Sequence, residues 1–429
     1  MHNFRSATVG PLTPFGAKNA PNCSQNDIAF RYELRTHHIS VGKPKTKPAG
    51  VFVPALLALL ALTACRKQDF PQYPPNYREY AYVSNGDSGT VTVLDVVNAR
   101  VDREIPVGQN PVAVTASPTR SEVYVVNSGA EGGQGSLSVI DAEKNTVAAT
   151  IPLHGKPVSI DLDAEGTLAY VANSGSNSIS VVDLNARQEI AQIGAGEEPV
   201  AARITPDGKT LAVANRRGNS VSIIDAATRK VRSIFDGCPG AADVAILPDS
   251  SKAFVACSAG HQVMAIALAN AKVSPAQPDR LESMLDVGRA PMQLALKPDG
   301  GEVFVSNSLS NSISEIDTSK NDVGGAYVIG DAPVRGLVSS DNALLYVANF
   351  ESQYVTIYSI DEGKRLPTSI HVGDGPVALA FSSNGLLFFV VDNRSADVAV
   401  VRTATRSLFT ILPTGRSPNA IAVKAFRVP

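Results

Sequence analysis

From Tyr80 to Phe426 the apolar residues fall in runs of five to seven, rich in Val and Ile, each bounded by Gly, Asp, Asn or Ser. The stretch beginning at Pro157 shows the layout. PVSIDLD alternates apolar and polar positions and meets the turn AEGT; LAYVAN follows, then the loop SGSN, then SISVVD, the turn LNAR and EIAQIGA. A period of two over such short runs predicts half-buried β-strands. No stretch beyond residue 65 carries a 3.6-residue apolar period, so the body is expected to be all-β.

The four-strand unit recurs. An aromatic-Val-x-Asn signature marks the second strand, with first residues Tyr82, Tyr124, Tyr170, Ala212, Phe254, Phe304, Tyr346 and Phe389, spaced 42, 46, 42, 42, 50, 42 and 43 apart. A four-stranded repeat near 42 residues is the size of one β-propeller blade. A sheet this small cannot bury both faces alone, but radial packing covers them. With strands lettered A at the axis to D at the rim, the chain opens on strand B of blade 1. It ends on NAIAVKAF, Asn419 to Phe426, an A strand without a successor. The pattern predicts one domain over 80–426: a single eight-bladed propeller of four-stranded antiparallel blades, closed by the C-terminal strand joining blade 1. That closure removes the open seam. Seven blades is the alternative if one repeat is irregular.

Other letters recur as well. Gly precedes Pro at seven D-to-A crossings (Gly108/Pro111, Gly155/Pro157, Gly196/Pro199, Gly288/Pro291, Gly330/Pro333, Gly373/Pro376, Gly415/Pro418), where Gly is expected to permit a backbone sign change, and blade 5 departs with Gly240 and Ala241 where Pro is expected. Asn85, Asn127, Asn173, Asn215, Asn307 and Asn349 end B strands, and Asp95, Asp141, Asp183, Asp225 and Asp317 end C strands. Both sets are expected to cap turns. With these positions assigned, the tandem YVxN…S[IV]S[VI][ID]…GxxPV pattern resembles the YVTN β-propeller repeat family over residues 80–426. That resemblance implies a fold rather than an activity.

Upstream, KPKTKPAGVFVPALLALLALTAC combines a basic segment, a short apolar run from Val51 to Leu62, and Leu62-Thr63-Ala64-Cys65. The order resembles a bacterial lipoprotein signal over 41–64, with Cys65 diacylated as the new N-terminus. Arg66 after the Cys favours the outer membrane by the same resemblance. Residues 1–40 read as a non-native or disordered extension, and 65–79 as a Pro-rich tether. The segment also changes the charge picture. The whole chain is −2, but residues 1–64 hold seven Lys/Arg and two Asp/Glu, so the remainder has 31 basic against 38 acidic side chains, a net of −7. A mildly acidic body without a basic stripe argues against nucleic acid.

Function on a repeat scaffold is expected where one blade breaks the shared rule. The second and fourth residues after the A-strand Pro are mostly Ala, as crowding at the axis demands. The exceptions are Ser159 and Asp161 in blade 3, Arg203 in blade 4, Asp243 in blade 5, Gln293 in blade 6 and Arg335 in blade 7. These either pair across a wet channel, Asp161 with Arg203 for instance, or line a polar pocket at its mouth. Arg216 and Arg217 stand on the top face, formed by the D–A and B–C connections, where other blades have Ser-Gly. Blade 5 also departs at Cys238 and Cys257, both expected at its top and able to form a disulfide after export. The trypsin-like GDSG at Gly86 aligns with a B–C loop and has no accompanying His and Asp framework. His154, His261 and His371 should face the top at unlike radii, so no metal is expected, and no cofactor motif is present.

These residues lead to a monomeric, non-enzymatic, lipid-anchored binding or scaffold protein of the cell envelope. It would offer its top face or channel to a protein, glycan or small-molecule ligand. The alternative is a propeller enzyme, since related propellers include lactone hydrolases and the haem d1 domain of nitrite reductases.

Overall fold

The computed structural model describes residues 73–269 and 277–428. The signal segment, Cys65, the first 40 residues and the tether up to residue 72 lie outside the described residues, as does most of the blade 5 insertion. The chain forms eight antiparallel sheets. Six follow a simple order of four consecutive strands, and the first is built from Pro418–Arg427, Tyr77–Asn85, Thr90–Asp95 and Arg100–Pro106. The last strand therefore pairs with the first, Val423 opposite Ala81 and Ile421 opposite Val83, and the eight-bladed ring is closed. Blade 7 differs at its rim, where the D strand is split into Lys364–Arg365 and Ile370–His371 around Pro367. Proline cannot donate to the ladder, so the split falls where its N–H is missing.

The core lies between blades. Tyr124 and Val126 of blade 2 pack with Ile160 and Val171 of blade 3, and Ala81 and Val83 of blade 1 pack with Phe389 and Val391 of blade 8. Each sheet has both faces covered by neighbours, which is why its B strand is apolar almost throughout rather than alternating.

Two expectations about the recurring residues are corrected. The C-strand aspartates do cap turns: Asp183 accepts from the N–H groups of Asn185 and Ala186 at 2.8 and 2.9 Å, and Asp317 from those of Ser319 and Lys320. The B-strand asparagines do not. They brace strand C, with Nδ2 of Asn85, Asn127, Asn173, Asn215 and Asn307 donating to the hydroxyls of Thr92, Ser138, Ser180, Ser222 and Ser314 at 2.8–3.0 Å. In four of these blades the hydroxyl lies seven positions on, and in blade 2 eleven; in each it is two residues beyond the one directly across the hairpin, which explains the recurring S-x-S. The crossing glycines serve a different purpose too. Their φ is not positive; a Cβ on Gly108, Gly196 or Gly330 would meet the Cγ of the following blade's brace at 2.5–2.7 Å. The left-handed residue is instead the one before the Pro, including Asn110, Glu198, Ala290, Ala332 and Ser417 at φ 48–54°. Its N–H is held from the preceding blade: Asn177 takes Glu198, Asn219 takes Gly240, Asn311 takes Ala332, and His261 Nδ1 takes Ala290 at 3.2 Å.

Blade 5 keeps the geometry with other chemistry. Cys238 occupies the crossing-glycine position and Cys257 the brace-asparagine position. A disulfide joins them with Cα atoms 4.8 Å apart. The close approach that excludes a Cβ elsewhere is here a covalent bond. Blade 8 carries Asp392 in the brace position and Asp397 where a hydroxyl normally stands.

Candidate functional site

All eight inner strands share one irregularity. The pairing of strands A and B skips the residue after the first A-strand position, between Pro157 and Ser159, Pro199 and Ala201, Pro333 and Arg335, and at each equivalent point. Such a β-bulge re-aims the extra side chain. The bulged residues are Val112, Val158, Val200, Ala242, Met292, Val334, Val377 and Asn419, and every one lines the same cavity of ≈540 Å³ at the top of the axis. Seven of the eight are apolar, so the mouth is an apolar collar. Phe350 joins it from the blade 7 B–C loop, and the Arg394 guanidinium lies over its ring 4.3 Å from the centroid. Arg394 is itself fixed by Glu351 at 2.7 Å, so Phe350 stands against a pinned cation.

Below the collar stand Arg203, Asp243, Gln293 and Arg335, the polar waist of the channel. These four line both the upper cavity and a lower one of ≈270 Å³, which Asp161 also borders. The structure thus brings all five axial candidates together, but not as the proposed Asp161–Arg203 pair. Asp161 Oδ2 accepts the Ile204 N–H at 2.9 Å, and Asp243 Oδ2 accepts the Leu294 N–H at 3.1 Å. Gln293 Oε1 accepts the Gly336 N–H at 2.7 Å, while its Nε2 donates to the Leu294 carbonyl at 2.8 Å. Each acid or amide stitches its strand to the next blade's inner strand, or to its own backbone. The reason is local: neighbouring A strands present unpaired N–H groups toward one another at the axis, and a buried donor needs an acceptor.

The guanidinium groups are left with little. Arg203 donates to the Ala202 carbonyl at 3.3 Å and faces Asp243 Oδ1 at 3.7 Å. Arg335 has no hydrogen bond or ion pair among the described residues. Burial pushes its pKa down, the field of Asp243 opposes that, and Arg203 adds to it. Burial also raises the Asp161 carboxyl, against the pull of Arg203 and the strand N–H groups.

Arg216 and Arg217 are not part of this site. Both extend over Glu198 on the rim, at 3.8 and 3.7 Å, and neither borders the axial cavity. Exposed pairs of this kind contribute little to stability or to a field. The histidines are separate as well: His154 faces Glu189 at 3.1 Å, His261 anchors the Ala290 N–H, and His371 packs edge-on against Tyr354. No histidine lines the axial cavity. Sequence reasoning missed Phe350, which stands where most blades have a small polar residue, and the collar, whose alternation is hidden by the bulge.

No protein-family model and no curated protein matches the sequence. Solved structures do match in fold. The dihydro-heme d1 dehydrogenase NirN superposes with a TM-score of 0.65 at 14% identity, over 82% of this chain and 76% of that one. Apo AztD from Citrobacter koseri gives 0.61 at 14% identity, over 82% and 99%. A putative 6-phosphogluconolactonase from Bacteroides fragilis gives 0.55 at 16%, over 82% and 99%. At these identities the likeness extends to the propeller fold.

Proposed function

We propose that the protein is a non-enzymatic binding module of the bacterial cell envelope, anchored through lipid on Cys65 and taking its ligand from the top into the axial channel. One observation carries the reading: a collar of seven apolar side chains and Asn419 stands over a waist whose two guanidinium groups keep unspent donors. Apolar wall above and convergent polar groups below form a combination that ligand pockets use. A hydrolytic reading is less well supplied. Asp161 and Asp243, the carboxylates at the waist, already accept strand N–H groups, and no histidine or thiol borders the cavity to serve as nucleophile or base. The anchor rests on the order of basic segment, apolar run and Ala64-Cys65, and the repeat signature supports kinship with YVTN-type propellers.

Two experiments test this. Labelled palmitate fed to producing cells should enter the wild-type protein and not Cys65→Ala; equal labelling refutes the anchor. Native mass spectrometry of the protein released from membranes should show a retained small molecule that Phe350→Ala and Arg335→Gln both lose. The enzyme alternative draws on the lactonase named among the fold neighbours. It wins if lactone hydrolysis is measurable in wild type and abolished in Arg203→Ala and Asp243→Ala.

A further inference from the structure

We infer that the channel ligand is an anion carrying a compact apolar body, its acid group seated between Arg203 and Arg335 and its body against the collar. The inference rests on the channel-binding reading and adds the ligand's chemical class.

The argument is one of unsatisfied donors. Asp161, Asp243, Arg203 and Arg335 together carry no net formal charge, so a count of charges would leave the waist neutral and uninformative. The hydrogen bonds are not balanced in the same way. Both carboxylates are turned toward the backbone of the next blade and hold strand N–H groups there. Gln293 has spent both its oxygen and its nitrogen on backbone. A guanidinium carries five N–H donors. Arg203 spends one on a carbonyl at 3.3 Å and keeps only a 3.7 Å contact to Asp243; Arg335 spends none.

Two cations three blades apart, Arg203 on blade 4 and Arg335 on blade 7, therefore bring unspent donors to one cavity, where each feels the other's field. An oxyanion between them would accept from both and relieve that repulsion, and planar guanidinium groups suit carboxylate and phosphate oxygens. A neutral ligand would leave the donors to water. Above the pair the walls change character: Val200, Met292, Val334 and Phe350 offer apolar surface with no donor. The ≈540 Å³ space would hold about 18 waters at ~30 Å³ each, room for a ring-sized body above the acid group. Inorganic anions would use the guanidinium pair and leave the collar wet.

The test uses 2-naphthoate, its neutral isostere 2-naphthamide, and inorganic phosphate, titrated calorimetrically into the full-length protein. 2-Naphthoate should bind wild type at least about tenfold tighter than the amide, as a charge-assisted contact implies. Arg335→Gln should weaken 2-naphthoate by about tenfold or more and leave 2-naphthamide within twofold; since Arg335 has no hydrogen bond or ion pair among the described residues, the variant should fold. Phe350→Ala should weaken both aromatic probes alike. If acid and amide bind wild type equally, or Arg335→Gln weakens both equally, the anion inference fails while channel binding stands. If phosphate binds as tightly as 2-naphthoate, the apolar body is refuted. If neither aromatic probe binds, or Phe350→Ala affects neither, the channel reading fails and this inference with it.

Discussion

Replacing Asp392 with Asn should make the protein more stable at alkaline pH and nearly unchanged at acid pH. Six of the other seven blades carry Asn at this position and donate from it to strand C. Asp392 is fully buried and accepts the Gly373 N–H at 2.9 Å on Oδ2; among the described residues its Oδ1 and Oδ1 of Asp397 across the hairpin meet no N–H or hydroxyl donor, and the two carboxyls face one another. Burial first, and then the Asp397 carboxylate, push its pKa from 3.8 to about 8. The folded protein thus keeps a proton that the unfolded chain releases. The stability this group contributes is complete below pH 3.8 and is lost as pH rises through about 8. At about 1.4 kcal/mol per unit, a shift of roughly four units is worth up to about 6 kcal/mol, and allowing for relaxation of the pair we expect about 3 kcal/mol. Unfolding entropy near 2.1 cal/mol/K per residue over roughly 350 residues turns that into about 4 °C. An amide at 392 carries no proton to lose, and its Nδ2 can donate to Asp397 Oδ1. Thermal melts of wild type and Asp392→Asn at pH 5, 7 and 8.5, at constant ionic strength, should show a Tm gap that opens by about 4 °C toward high pH. Parallel Tm curves would refute the buried-carboxyl argument.

Blade 5 makes a second test. Cys238→Ala/Cys257→Ala should lose about 3 kcal/mol, the chain-entropy value for a loop of this size, and reductant should lower the wild-type Tm while leaving the variant's unchanged. Asn215→Ala removes a buried donor from two serines and should destabilise by about 1–3 kcal/mol; Gly196→Ala, which drives a Cβ to 2.7 Å from that same side chain, should do at least as much, and both are read by urea titration. Truncation before Pro418 leaves strand Tyr77–Asn85 without its inner partner and opens the blade 8–blade 1 core. The product should elute as aggregate in size-exclusion chromatography, and a monodisperse, cooperatively melting truncation would count against closure as the source of stability.

Strand content, blade number and closure were all legible in the order of residues. Each follows from short-range alternation and from counting, and a hairpin needs only its own turn and its own period to form. The same reading picked out Asp161, Arg203, Asp243, Gln293 and Arg335 as departures from a small-residue rule, and Cys238 with Cys257 as a paired departure within one blade. What each residue does there was not legible. Glycine at the crossing was attributed to backbone freedom, whereas the asparagine lying against it leaves no space for a Cβ. Asp161 was offered to Arg203, whereas the next blade's backbone claims it. Collar and Phe350 were invisible, because one bulged residue per inner strand breaks the two-residue alternation by which inward positions are recognised. The division has a physical cause. Alternation, turns and repeat length are properties of neighbours along the chain. Which donor meets which acceptor at the axis depends on residues about 40 positions apart, brought together when the ring closes.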